Sequence, residues 1–245
     1  MEERTKNVCA SPAPEGTGDR PAIRYVLLDV DDTLLDFGAC SAQAVRESCG
    51  RFGLPYTRQL QETFRQVTAQ LWHRLEKGEL TRQDIFDTRW AQVFAILGIS
   101  ADSRGFEASF HALLAQSHIA MPGARELLAY LGEKYSLYAA SNAPHAQQEN
   151  RLRAAGLLPY LRGIFTSEQI GAAKPDARFF QACLDALGAR KEQVVLIGDS
   201  LSADIAGGAA FGIRTCWLNR AAERPACGQE PDWTAESLAQ IREIL

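Results

Sequence analysis

The 245-residue chain has no long run of basic residues, no apolar stretch near the length of a membrane span and no cysteine pair at metal-ligand spacing. Each absence removes a class of function. With 26 Lys and Arg against 30 Asp and Glu the net charge is -4, and without a basic patch a nucleic-acid polymer is not an expected partner. A spanning helix needs about 20 apolar residues, and the N-terminus lacks the apolar centre of a secretory signal. The expected location is therefore the cytoplasm, with no membrane partner. The six cysteines (Cys9, Cys40, Cys49, Cys183, Cys216 and Cys227) form no CxxC pair, so they are expected to be reduced thiols, several of them buried. No internal repeat is present.

What is present is a hydrophobic fraction of 46%, enough for a substantial core and a smaller second domain or large insertion. Residues 1–20 mix Pro, Gly, Ser and charge without apolar periodicity, as a flexible tail does. From Tyr25 onward strands and helices alternate. Strands are expected to Asp29, near "YSLYAAS", near "GIFTS", at "QVVLIGD" and at "IRTCWLN". Helices are expected after Pro144, after Pro175, from about Ser202 and from about Thr234. Such βα alternation predicts an α/β fold with a parallel sheet flanked by helices. Residues 40–118 break the rhythm with three or four helical patterns and no convincing strand. In "TRQDIFDTRWAQVFAILG", Thr81 is the expected N-cap, Asp84 lies in the first turn, Ile85, Trp90, Phe94 and Leu97 recur at helical spacing, and Gly98 stops the helix. We assign 39–118 to an inserted helical cap and 21–38 with 119–245 to the core. The two crossings between them make a hinge.

The chemistry concentrates at strand ends. In "VLLDVDDTLLDF" an apolar run of the kind buried on both faces meets three aspartates. Asp29 and Asp31 are two apart, so in extended chain their carboxylates project to one side and repel. A bound divalent cation offsets this, with proton sharing as the alternative. Ligands in open α/β sheets bind beyond the carboxyl ends of the strands. Ser141 and Asn142, Asp199 and Asp204 fall at or just after such ends, and Lys174 precedes Pro175. Taken singly, Ser141 and Asn142 read as caps, Lys174 as a solvated lysine, Asp204 as a partner of a helix dipole and Asp32 as a turn residue. A DxDxT after an apolar strand is stronger evidence, because burying two carboxylates without a role is costly.

In sequence order, "DVDDT", "SN" after a strand, "KP" and "GDSLSAD" resemble the four motifs of the haloacid dehalogenase superfamily of phosphohydrolases, over residues 24–245. The resemblance implies a Rossmann-like core with a helical cap of the C1 class. "DDTLLDF", "LWHRLEKGELT" and "DIAGGAAFGIRTCWLN" with "PDWT" further resemble the branch that contains bacterial house-cleaning pyrimidine 5′-nucleotidases. By this resemblance Asp29 is the nucleophile that forms an aspartyl-phosphate, and Asp31 protonates the leaving alkoxide and then deprotonates water. Mg²⁺ is held by Asp29, the Asp31 carbonyl and Asp199. Thr33, Ser141, Asn142 and Lys174 bind phosphate, and Asp204 orients Lys174 or a metal-bound water. Phe37 and Trp72 are candidates to stack on a base, Trp72 being equally suited to the core of the cap, and His73 is expected to face solvent.

The superfamily also contains dehalogenases, whose leaving halide needs no proton. They lack an aspartate where Asp31 stands, so Asp31 favours a phosphate ester. The expected partner is a small phosphate monoester, a nucleotide such as UMP, dUMP or dTMP, with phosphoglycolate or a sugar phosphate as the alternative. The protein is expected to act as a monomer or homodimer. A catalytically silent binding domain is the reading from another class, and phosphate release separates it from the enzyme.

Overall fold

The computed structural model describes residues 22–222 and 230–245. The tail expected over residues 1–20 lies outside the described residues, as do Cys9 and Cys227; the other four cysteines are free and buried.

Six strands form one sheet: β1 (Tyr25–Leu28), β2 (Ser136–Ser141), β3 (Gly163–Thr166), β4 (Val194–Gly198), β5 (Arg214–Leu218) and β6 (Trp233–Ala235). They are ordered β3-β2-β1-β4-β5-β6 and every pairing is parallel. Alternation along the strand explains the unbroken apolar run of β1. Val26 and Leu28 enter one core cluster and Leu27 the other, so both faces are covered. Ten helices are described: α1 (Phe37–Arg51), α2 (Arg58–Glu76), α3 (Arg82–Leu97), α4 (Ser103–Leu114), α5 (Ala124–Gly132), α6 (His145–Ala154), α7 (Ser167–Ile170), α8 (Ala177–Leu187), α9 (Gly207–Phe211) and α10 (Leu238–Ile244). Leucines of α5 pack on one face of the sheet with α10, and the Phe179–Leu184 side of α8 packs on the other.

Two elements differ from the sequence reading. The helix expected from about Thr234 is strand first: Trp233–Ala235 pairs with β5 as an edge strand, and α10 starts only after Ser237 caps it. The aromatic Trp233 and β-branched Thr234 suit that pleated edge, and a strand of three residues is too short to announce itself. The helix expected from Ser202 opens as a π-helical turn over Leu201–Ala206, capped by Ser200, before α9 begins.

Helices α1 to α4 build a second core around Phe64, Trp90, Phe106 and Phe110. In α3, Thr81 and Asp84 form a capping box and Gly98 ends the helix at φ 65°. The first helix begins at Phe37, capped by Asp36, two residues before the boundary expected at 39. The crossings between the two cores run side by side, tied by Asp36 N–H to the Ile119 carbonyl and Met121 N–H to the Leu34 carbonyl, both at 2.9 Å. Among the described residues no helix is long and apolar enough to cross a membrane.

Candidate active site

Because every strand is parallel, all carboxyl ends share one edge. The connections reverse direction between β1 and β4, and a crevice opens there. Asp29 follows β1, Ser141 ends β2 and Asp199 follows β4, so residues more than a hundred positions apart meet around a cavity of about 550 Å³ roofed by α1 and α2. Asp32, expected as a turn residue, takes φ 61°, a left-handed conformation that turns the chain out of β1.

Lys174 is the electrostatic centre. It is 1% exposed, far from the solvated lysine that its local sequence suggests, and its ammonium donates to Asp29 Oδ1 at 2.7 Å, Asp204 Oδ1 at 2.6 Å and the Ala140 carbonyl at 2.7 Å. Those three acceptors saturate its donors. Burial alone would lower its pKa, but the Asp204 and Asp29 carboxylates outweigh it and raise the group above its ordinary value. Asn142 does not cap the following helix; its side-chain amide clamps the Lys174 backbone, accepting from its N–H at 2.8 Å and donating to its carbonyl at 2.9 Å. Two glycines make room for the arrangement. A Cβ on Gly198 would lie 2.2 Å from Asp204 Oδ2, and one on Gly207 would lie 2.8 Å from the Pro175 Cα.

Asp29, Asp199 and Asp204 bring carboxylate oxygens within 4.8 Å of one another. Burial, with the neighbouring acids, pushes Asp29 up to about 7 despite Lys174, and Asp199 is raised well above a normal carboxylate for the same reasons. One ammonium against three clustered acids leaves excess negative charge among hard oxygen donors, the chemistry of a Mg²⁺ site. The Asp31 carboxylate is not part of this cluster.

Thr33, a phosphate-binding candidate in the sequence, is fully buried and not among the residues that line the cavity, and its hydroxyl donates to Asp199 Oδ1 at 3.3 Å. Ser141 is 2% exposed and lines the cavity. Phe37 and Trp72 also line it, each half-buried against the cap core, and His73 is exposed.

Several residues at the site were not expected. Gln148 and Arg151 of α6 hold both oxygens of Asp31. The signal was present in "HAQQENRLRA", a helix with too few apolar residues to cover a sheet by itself. Glu76 at the end of α2 accepts from the Ser202 hydroxyl at 2.6 Å, joining cap to core, and burial pushes its carboxyl up. Arg82 of α3 makes a second such link, 3.2 Å from Glu168. No local pattern marked either contact.

A family model described as haloacid dehalogenase-like hydrolase matches residues 23–212. The pyrimidine 5′-nucleotidase PynA of Streptococcus pneumoniae is 36% identical over 198 residues, covering 80% of this chain and 84% of the relative. The pyrimidine 5′-nucleotidase YjjG of Escherichia coli is 26% identical over 225 residues, covering 90% and 97%. Among solved structures, the magnesium-bound HAD-hydrolase YfnB of Bacillus subtilis superimposes with a TM-score of 0.87 at 32% identity, covering 92% of this chain and 99% of that one.

Proposed function

The chain belongs to the haloacid dehalogenase-like hydrolases and is a phosphohydrolase of that family, and from this premise we propose that it removes phosphate from nucleoside 5′-monophosphates, pyrimidine nucleotides first. The observation that carries the reading is the pair of aromatic side chains, Phe37 and Trp72, in the cap wall of the cavity that also holds Asp29. Their ring faces suit a planar base. The two nucleotidase relatives support the same substrate class.

Asp29 attacks phosphorus and carries the phosphoryl group as an aspartyl-phosphate, dividing one difficult displacement into two easier ones. Lys174 holds that carboxylate in place and offsets its charge. Ser141 and backbone N–H groups near Asn142 receive phosphate oxygens as charge shifts onto them. Asp31 gives its proton to the departing 5′-oxygen and then takes one from the water that hydrolyses the intermediate. Asp29, Asp199 and the Asp31 carbonyl would hold a Mg²⁺ ion, which when bound would neutralise charge on the phosphoryl oxygens. YfnB was solved bound to magnesium, which supports that choice of ion.

The test is initial phosphate release over UMP, dUMP, dTMP, purine nucleotides, sugar phosphates and phosphoglycolate, with chelator and with Mg²⁺. Pyrimidine nucleotides should lead, activity should vanish with chelator and return with Mg²⁺, and Trp72→Ala should reduce the nucleotide preference while sparing a small aryl phosphate. A panel led by phosphoglycolate would refute the nucleotidase reading, and full activity after exhaustive metal removal would refute the metal.

A further inference from the structure

We propose that Gln148 and Arg151 are positioning residues for Asp31, setting the orientation of the carboxylate that serves the leaving group; the proposal rests on the proton-transfer role given to Asp31 above. Arg151 Nη1 donates to Asp31 Oδ1 at 2.5 Å and Gln148 Nε2 to Oδ2 at 2.6 Å. Each carboxylate oxygen therefore has one fixed donor and spare acceptor capacity facing the cavity. The carboxylate cannot turn about its own axis without losing one of these bonds.

The two donors are anchored independently of Asp31. Arg151 Nε donates to the Ser117 carbonyl at 3.0 Å, in the segment that returns from the cap, and Nη1 also reaches Gln148 Oε1 at 3.1 Å. Gln148 Nε2 is shared with the Ser141 hydroxyl at 2.9 Å. One amide thus fixes both the acid–base carboxylate and the hydroxyl on the phosphate side. Leaving-group oxygen and non-bridging oxygen are attached to the same phosphorus, so holding their two partners in one register helps keep reacting atoms aligned.

Helix α6 is built for this. Gln148 and Arg151 are three apart and share a face, and both are 0% exposed, whereas the Asp31 side chain is 27% exposed. The helix buries Gln147, Gln148, Arg151 and Leu152, a polar set with one aliphatic side chain. A helix that only covered the sheet would bury apolar side chains, since burying polar ones is costly.

The experiment compares kcat/KM for the best alkyl phosphate of the panel with that for p-nitrophenyl phosphate, in wild type, Gln148→Met and Arg151→Lys. This ratio reports steps only through departure of the leaving group. An alkoxide needs the proton and p-nitrophenolate does not, so Arg151→Lys should lose about 100-fold on the alkyl phosphate and less than about threefold on the aryl one, and Gln148→Met, which also frees the Ser141 hydroxyl, should lose more on the alkyl phosphate than on the aryl one. Reading both variants keeps the test intact if one fails to fold. In an Asp31→Asn background Arg151→Lys, which makes no bond to Ser141, should cost nothing further, because the carboxylate it aims is gone. Equal losses on the two substrates, additive losses in the double variant, or a gain on the alkyl phosphate would overturn the proposal. If Asp31→Asn itself shows no leaving-group selectivity, the role of Asp31 fails first, and that outcome overturns the positioning proposal with it.

Discussion

The Lys174 ammonium lies 2.6 Å from Asp204 Oδ1, and the two side chains are 2% and 1% exposed. Such a pair contributes little while intact, because desolvating both charges cancels most of their attraction. Breaking it is costly. Asp204→Ala leaves Lys174 with Asp29 as its one carboxylate partner, and we expect a loss of about 3 kcal/mol in urea denaturation. Gly198→Ala tests the same contact sterically. Its Cβ would fall 2.2 Å from Asp204 Oδ2, in a carboxylate held by Lys174 at Oδ1 and by the Ser200 N–H at Oδ2, so the variant should lose about 1–3 kcal/mol and most phosphatase activity. Wild-type stability in Gly198→Ala would show that the carboxylate moves freely.

Asp29 makes the metal-free protein sensitive to pH. Its folded pKa is raised from 3.8 to about 7 by burial, so between those values the native state keeps a proton that the unfolded state has lost. Stability from this group is present below pH 3.8 and lost as the pH rises through about 7. In chelator, the urea midpoint of wild type should fall relative to that of Asp29→Asn as the pH rises from about 5 to 8. Mg²⁺ should remove the difference at the alkaline end by taking the carboxylate as ligand. Parallel profiles for the two proteins in chelator would refute the shift.

In the cap, Arg89 is paired with Glu107, Nη2 to Oε1 at 2.5 Å, while Phe64, Phe86 and Phe110 surround the guanidinium. Glu107→Ala should destabilise by about 3–5 kcal/mol, because it strands a buried cation. Replacing both partners, as Arg89→Met with Glu107→Leu, should recover most of that loss in the same measurement.

Asp29 and Asp31 look alike in sequence and should fail differently. Asp29→Asn should abolish turnover of every substrate and form no phosphoenzyme. Asp31→Asn keeps the nucleophile, so p-nitrophenyl phosphate should give a burst of about one equivalent per site and then a slow steady rate. Nucleotide turnover should nearly stop. Rapid nucleotide hydrolysis by Asp31→Asn would contradict the role assigned to it.

Much of the site was legible because parallel strands place their ends together whatever lies between them. An apolar run followed by Asp29 and Asp31, a second strand closing on Ser141, and a third followed by Asp199 already define one edge once β–α alternation is recognised. The α3 boundaries were legible for a related reason: Thr81, Asp84 and Gly98 act through bonds three or four residues long, which sequence spacing displays directly.

What tertiary structure alone decided are the partners across long separations. Locally, Lys174 is a lysine before a proline, and only the approach of Asp204 and Asp29 makes it a buried cation. Thr33 could face a phosphate or an acid, and the packing of β1 against β4 turns it to Asp199. Gln148 and Arg151 belong to a helix whose low apolar content is visible in the sequence, but only its placement against Asp31, more than a hundred residues earlier, gives them their partner. The sequence by itself determined which groups arrive at the sheet edge, because strand direction and side-chain alternation are local properties of the backbone. Which of those groups face one another depends on side-chain directions set by packing in three dimensions, and no spacing along the chain encodes that.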